Sequence, residues 1–135
     1  MSYEWLERTS LLLGDEKLKK LQNANVLVVG LGGVGAYAAE MIARSGVGRM
    51  TIADADTVSP TNINRQLIAL HSTIGKEKSE LMADRLRDIM QGGSNTIIAI
   101  EKDKELGKDG TIWVAPCLET SSSAYCKLVV EIVAE

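Results

Sequence analysis

Two segments of this sequence combine residue types that suit the binding of phosphate groups. In the first, the apolar run Val26–Val29 leads into a glycine-rich turn at residues 30–35, with the sequence GLGGVG. Gly30 permits a tight turn, Gly32 lets a phosphate approach the backbone, and Gly35 lets the following helix pack closely on the strand. The free N–H groups at the start of that helix favour an anion. We therefore expect this turn to hold phosphates.

The second segment is a polar loop that begins where the next predicted strand, Arg49–Ala53, ends. Asp54 stands where a dinucleotide-binding fold places the acid that binds a ribose. Charged and amide side chains then follow in close succession, namely Asp54, Asp56, Asn62, Asn64, Arg65 and Gln66. Lys78 comes next, at the start of another predicted helix. Two cations beside a helix amino terminus suit a triphosphate, because its negative charge grows during transfer.

Other interpretations of these segments stay open at this point. The turn and Asp54 by themselves would fit NAD, although Arg65 in the loop would meet a charged group rather than a nicotinamide. The glycines alone could form no more than a tight strand-to-helix turn. The polar loop alone could be a solvated surface with ordinary charges.

The flanking segments predict an α/β, Rossmann-like fold of three layers, with a mostly parallel sheet of about four strands in the order 3-2-1-4. We expect helices in the first 22 residues, with Asp15 capping the second of them. A third strand is expected at 95–100, a fourth at 111–115 and a final helix at 121–133. The prediction is a single domain, 1–135, made of a helical segment (1–22), a nucleotide-binding βαβαβ core (23–100) and a divergent strand and helix (101–135).

The stretch from residue 7 to about residue 90 resembles the ThiF/MoeB/HesA family, relatives of the ubiquitin-activating enzymes. Within that family it is most similar to the branch of tRNA threonylcarbamoyladenosine dehydratases, TcdA. The resemblance rests on five motifs in family order and at family spacing: residues 30–35 (GLGGVG), 43–48 (ARSGVG), 54–58 (DADTV), 61–66 (TNINRQ) and 72–78 (STIGKEK). It implies half of the full family fold and ATP-dependent adenylation of a carboxylate, with tRNA threonylcarbamoyladenosine as one substrate.

The resemblance also implies how the nucleotide is held. The glycine turn holds the phosphates, and Asp54 binds the ribose hydroxyls. The implied cofactor-binding set is Gly30, Gly32, Gly33, Gly35, Asp54, Asp56, Asn62 and Gln66.

The same resemblance implies three catalytic cations. Arg65 and Lys78 contact the phosphates, and Arg8 reaches in from the partner subunit of a homodimer. A carboxylate substrate is already a nucleophile and needs no general base. Positioning and charge neutralisation at the α-phosphate would therefore carry most of the rate.

One departure from the family concerns magnesium. The family has a magnesium-binding aspartate after its fourth strand, whereas this sequence has no aspartate after Asp109. Glu119, in the run LET at 118–120, occupies the corresponding place and is the candidate Mg²⁺ ligand. Its extra methylene would shift the carboxylate by roughly an ångström. Alternatively, Glu119 does no more than favour a helix amino terminus.

Composition limits the class of protein. With 135 residues, 45% of them hydrophobic, the chain can bury one core, and no apolar stretch reaches membrane-spanning length. No secretory signal opens the sequence. Cys117 and Cys126 lack metal-ligand spacing, so we expect reduced thiols and a cytoplasmic location. His71, the single histidine, has no neighbour that marks it as a base.

The partners follow from charge and topology. A net charge of −3 does not suggest a nucleic-acid surface, so tRNA as a partner rests on the resemblance alone. The predicted fourth strand would leave an edge uncovered. A symmetric homodimer would bury that edge and would suit a role for Arg8 in trans.

Two functions from different classes remain open. The first is an ATP-binding adenylating enzyme. The second is a non-catalytic, truncated nucleotide-binding or dimerisation module, because the likeness fades after residue 90 and no counterpart of the family's substrate-binding half follows. The position of Glu119 relative to Arg65 and Lys78 separates the two.

Overall fold

A five-stranded sheet forms the centre of the computed structural model, which describes residues 4–90, 96–100, 112–114 and 130–131. Its strands are β1 (Asn25–Val29), β2 (Arg49–Ala53), β3 (Thr96–Ile100), β4 (Ile112–Val114) and β5 (Val130–Glu131). The α-helices are α1 (Glu7–Leu13), α2 (Asp15–Gln22), α3 (Gly35–Arg44) and α4 (Lys78–Ile89). Short 3-10 helices cover Glu4–Leu6, Pro60–Asn62 and His71–Thr73.

The strand order is β3-β2-β1-β4-β5. Strand β1 pairs in parallel with β2 from Asn25↔Arg49 to Val29↔Ala53, and β2 pairs in parallel with β3. Strand β4 lies parallel to β1 on its other side. The predicted order 3-2-1-4 is therefore confirmed. Because β1 and β2 are adjacent and parallel, the turn after β1 lies beside the loop after β2, at the carboxyl edge of both strands.

The core forms where apolar strands meet two helices that carry small side chains. Val26, Val28, Met50 and Ile52 of β1 and β2 are buried against one another. Helix α3 contributes buried alanines and α4 contributes larger side chains, namely Ala36, Ala39, Ala43, Met82, Ala83 and Leu86. Alanines on the buried face let α3 approach the sheet closely, which brings its amino terminus to the end of β1.

The amino-terminal helices pack at the opposite end of the sheet. Leu6 and Leu18 are buried and lie against Gly46, in the turn between α3 and β2. The expectation that Asp15 caps α2 is wrong, because Gly14 occupies the N-cap position and Asp15 is the first helical residue. The Asp15 carboxylate instead accepts a hydrogen bond of 2.6 Å from Ser10 Oγ, which ties α1 to α2.

The carboxyl-terminal prediction is wrong at the two residues that can be compared. Val130 and Glu131 lie within the helix predicted at 121–133, but they form β5 and pair antiparallel with β4. A β-branched valine suits a strand, and the open edge of β4 provides the backbone partners. The edge expected to be uncovered is thus paired over two residues. The rest of that predicted helix lies outside the described residues, and the division into 1–22, 23–100 and 101–135 stays a prediction.

No helix in the described part of the chain has the length and apolar character that a membrane span requires.

An ion-pair cluster around the buried Glu40 of α3 links this helix to α4 through Arg85. The Glu40 carboxylate lies 2.9 Å from Arg44 Nη2 and 3.0 Å from Arg85 Nη2. Burial raises the pKa of Glu40, but the hydrogen bonds from Arg85 and Arg44 outweigh it and hold the pKa below its ordinary value of 4.5. The carboxylate form is therefore stabilised in the folded state.

Gly48→Ala is expected to destabilise the fold, because a Cβ at this position would overlap the carbonyl oxygen of Gln22. We expect the free energy of unfolding to fall by about 3 kcal/mol in urea titrations. Gly75→Ala is the matched control, because Gly75 has a φ of +82° but open space around it. We expect a smaller loss there, about 1 kcal/mol in the free energy of unfolding. An equal loss in both variants would contradict the packing argument.

Glu40→Gln is expected to reduce the loss of folding free energy that occurs as the pH becomes acidic. A carboxyl whose pKa is lower in the folded state contributes stability above its ordinary pKa and loses it as pH falls through the folded value. Urea unfolding between about pH 6 and about pH 3 should therefore show a shallower decline in the variant than in the wild type. Glu16→Gln, at an exposed position on α2, should keep the wild-type slope. If stability fell with pH as steeply in Glu40→Gln as in the wild type, the assignment of a lowered pKa to Glu40 would be refuted.

Candidate functional site

The glycine turn after β1 is held against the end of β2. Gly30 adopts a φ of +89°, a conformation that favours glycine, and its N–H donates to Ala53 O at 2.7 Å. Leu31 is fully buried behind the turn. Helix α3 begins at Gly35, and no side chain among the described residues caps its amino terminus. The turn therefore directs a free helix amino terminus toward the carboxyl edge of the sheet.

Asp54 joins the two predicted segments through its carboxylate. Oδ2 accepts a hydrogen bond of 2.7 Å from the N–H of Leu31 in the glycine turn. Oδ1 accepts one of 2.8 Å from the N–H of Asp56 in the loop after β2. One side chain thus fixes the position of both loops, and each of its oxygens keeps a lone pair for a further donor.

The loop at residues 59–66 is ordered by its own caps. Asn62 Oδ1 accepts a hydrogen bond of 2.8 Å from the N–H of Ser59, and the N–H of Asn62 donates to Ser59 O at 2.9 Å. The N–H groups of Arg65 and Gln66 both donate to Asn62 O, at 3.2 and 2.9 Å. Sequence reasoning missed this role of Asn62, although the Ser-x-x-Asn spacing is the local signal for a reciprocal cap.

Arg65 and Gln66 lie against the glycine turn. A Cβ placed on Gly33 would lie 3.6 Å from Arg65 Cγ, and one on Gly32 would lie 3.6 Å from Gln66 Nε2. Both are ordinary van der Waals separations, and neither glycine has a positive φ. The described fold would accept alanine at both positions, so packing does not account for these two glycines.

The two side chains differ in their surroundings. Arg65 is exposed, and its Nη1 donates to Thr61 O at 3.1 Å and to Asn64 Oδ1 at 3.0 Å. Gln66 is 8% exposed, and its buried Oε1 meets no hydrogen-bond donor in the described part of the chain. Burying an amide oxygen without a hydrogen-bond donor costs free energy. We therefore expect a ligand or a water molecule to donate a hydrogen bond to Gln66 Oε1.

Lys78 is fixed beside this loop by backbone pairing. Its N–H donates to Asp56 O at 3.0 Å, and the N–H of Val58 donates to Lys76 O at 2.9 Å. Lys78 is 5% exposed, yet no side chain among the described residues forms an ion pair or hydrogen bond with its ammonium group. A nearly buried cation without a described counter-charge favours an anionic ligand.

One predicted site residue, Arg8, is not brought to this edge, and another cannot be compared with it. Arg8 is exposed on α1, whose preceding turn is anchored through Leu6 at Gly46, at the amino end of β2. Glu119 lies outside the described residues. Within the described ranges no group of three acidic, histidine or cysteine side chains could hold a metal ion. Sequence reasoning also missed Ser79, a fully buried hydroxyl next to Lys78 that has no described partner.

Asp54→Ala is expected to loosen the glycine turn, because it removes both acceptors that bridge the two loops. We expect a loss of about 2 kcal/mol in the free energy of unfolding and faster hydrogen exchange at the amide of Leu31. Asp56→Ala is the matched control, since it keeps the backbone N–H that donates to Asp54. Unchanged protection of the Leu31 amide in Asp54→Ala would contradict the bridging role.

A family model and two curated relatives match this chain. The family model "ThiF family" matches residues 6–108. The tRNA threonylcarbamoyladenosine dehydratase of Bacillus subtilis is 54% identical over 82 residues, 61% of this chain and 32% of that protein. The molybdopterin-synthase adenylyltransferase of Salmonella typhimurium is 45% identical over 74 residues, 55% of this chain and 30% of that protein.

A solved structure agrees with these relatives. The crystal structure of Escherichia coli tRNA N6-threonylcarbamoyladenosine dehydratase, TcdA, in complex with ATP has a TM-score of 0.68 and 39% identity, over 75% of this chain and 42% of that chain. The chain spans about a third of the length of the curated relatives named above. Since the family model matches well over half of the sequence, the chain belongs to the ThiF family.

Proposed function

We propose that the chain binds ATP at the carboxyl edge of β1 and β2 and activates a carboxylate as its acyl-adenylate. The observation that carries this proposal is the placement of Arg65 and Gln66 beside Gly32 and Gly33. The fold does not need these glycines, so we ascribe them to the close approach of phosphate groups to the backbone. The ATP complex of the relative TcdA supports this interpretation.

Different groups of the site would bind the phosphates and the ribose of the nucleotide. The uncapped amino terminus of α3 would receive phosphate oxygens together with the side chains of Arg65 and Lys78. Ribose hydroxyls would donate to the remaining lone pairs of Asp54. Asn62 and Asp56 would act mainly through their backbone, because they fix the positions of Arg65, Gln66 and Lys78.

In the proposed reaction the carboxylate oxygen of the substrate attacks the α-phosphorus of ATP and pyrophosphate leaves in line. The protein would contribute orientation and positive charge rather than a base. Magnesium would neutralise further phosphate charge, and Glu119 is the residue that we propose for it, by analogy with the family aspartate. The names of the relatives make the carboxylate of tRNA threonylcarbamoyladenosine the first substrate to test.

We further propose a cytoplasmic homodimer in which Arg8 acts in trans. Support comes from the position of α1, which is anchored about one strand length from the site of its own chain, roughly 16 Å for five residues. A binding surface for tRNA is proposed from the relatives alone, since a net charge of −3 gives it no support.

Arg65→Ala is expected to weaken ATP binding at least tenfold in calorimetric titration with Mg²⁺, because a charge-assisted contact to phosphate is worth roughly 1.5–3 kcal/mol. Arg87→Ala, at an arginine of α4 that pairs with Asp84, should bind like the wild type. Lys78→Met should also lose affinity while keeping its urea midpoint at or above the wild-type value, because a nearly buried charge is removed.

Exchange of labelled pyrophosphate into ATP, measured with the same proteins and tRNA threonylcarbamoyladenosine, separates the two functions left open above. Exchange that Arg65→Ala abolishes would support adenylation. ATP binding without exchange would favour a nucleotide-binding module. Tighter binding of NAD than of ATP would refute the proposed site.

A further inference from the structure

The charges of this chain are divided unevenly between its two parts. Residues 4–90 contain eleven acidic and eleven basic side chains, so the net charge of −3 comes from residues 91–135. The part that forms the two βα units is therefore neutral as a whole. A local excess of cations on its surface can bind a polyanion even though the complete chain is acidic.

The turn between α3 and β2 joins three elements at the amino edge of the sheet. The N–H of Gly48 donates to Leu21 O at 3.2 Å. The N–H of Arg49 donates to Ala24 O at 3.1 Å. Gly48 leaves no room for a Cβ, because the carbonyl of Gln22 lies against it. The end of α2, the end of α3 and the start of β2 are thus held at one corner of the molecule.

Each of these elements carries an exposed cation at that corner. Lys20 lies in the last turn of α2, Arg44 ends α3 and Arg49 begins β2. Neither Lys20 nor Arg49 forms an ion pair with an acidic side chain of the described residues. Helix α4 adds Arg85, which is also exposed. We call Lys20, Arg44, Arg49 and Arg85 the amino-edge cations.

The ion pairs of this surface leave it positive. Arg44 and Arg85 both bond the same oxygen, Glu40 Oε1, at 2.9 and 3.0 Å, so two positive charges share one negative charge. Their side chains are 52% and 46% exposed and keep free surface for a further anion. The nearby carboxylate of Asp84 is already paired with Arg87.

We propose that the amino-edge cations form a binding surface for the phosphate backbone of an RNA. The surface is inferred from the four cations, and the choice of RNA among polyanions rests on the proposed function. Cations on separate elements can contact successive phosphates of one strand. The helix dipole also favours Lys20 and Arg44, each in the last turn of its helix, but it does not account for Arg49 or Arg85.

The surface lies at the opposite end of the sheet from the proposed ATP site. Strand β2 separates them by roughly 16 Å, the length of the five residues from Arg49 to Ala53. The Debye length at physiological ionic strength is about 8 Å, so the amino-edge cations act only weakly on a bound triphosphate. Substitutions at this surface should therefore change RNA binding and leave ATP binding unchanged.

The test is fluorescence anisotropy with a labelled, unmodified tRNA transcript. Arg49→Glu should weaken binding about fivefold or more, because it removes one phosphate contact and adds a repulsive charge. Lys76→Glu is the matched control, since it makes the same change of charge at an exposed position outside the surface and should bind like the wild type.

Salt dependence gives a second measurement. The slope of log K against log salt concentration should fall by about two in Lys20→Gln/Arg49→Gln, one for each cation removed. Calorimetric titration with ATP and a urea midpoint like that of the wild type should show that the variant keeps its fold and its nucleotide site.

Four results would overturn the proposal. They are no binding of the transcript by the wild type at low salt, equal weakening in Lys76→Glu, an unchanged salt slope in the double variant, or tighter binding to phosphatidylserine vesicles than to the transcript. Failure of ATP binding in the wild type would refute the proposed function and leave the anisotropy result intact. The two ideas therefore fail separately.

Discussion

The carboxylate of Asp54 is the interaction on which the arrangement of the site depends. It accepts one backbone N–H from the turn after β1 and another from the loop after β2. The backbone of Asp56, placed in this way, accepts the N–H of Lys78 at the start of α4. Two strands and two helices are thereby related through a short chain of hydrogen bonds, and a shift at Asp54 would move Lys78.

Two different constraints explain the glycines discussed above. Gly30 serves a turn with positive φ, and Gly48 makes room for the carbonyl of Gln22, so the fold itself requires both. Gly32 and Gly33 are different, since a Cβ at either would meet a side chain at normal contact distance. Their lack of a side chain leaves space above the amino terminus of α3, which the proposed function assigns to phosphate groups.

The fold separates the two ends of the sheet by role. The amino end is closed by Leu6 and Leu18 against Gly46, and the carboxyl end carries the polar loops. Between these ends, Glu40 of α3 pairs with Arg85 of α4 and with Arg44 of its own helix. This pair of helices carries the glycine turn before α3 and Lys78 at the start of α4, an arrangement that suits the proposed site because that site would act by positioning and charge.

Local sequence determined the strands β1 and β2, the glycine turn and the start of α4 at Lys78, because apolar runs, glycines and caps act over a few residues. It failed at Val130–Glu131, where the partner strand lies far along the chain and overrode a helical periodicity. Tertiary structure alone decided that Lys78 and Gln66 are buried and that Arg65 lies over Gly33. Burial of this kind arises from contacts between segments that are distant along the chain, and no local pattern encodes those contacts.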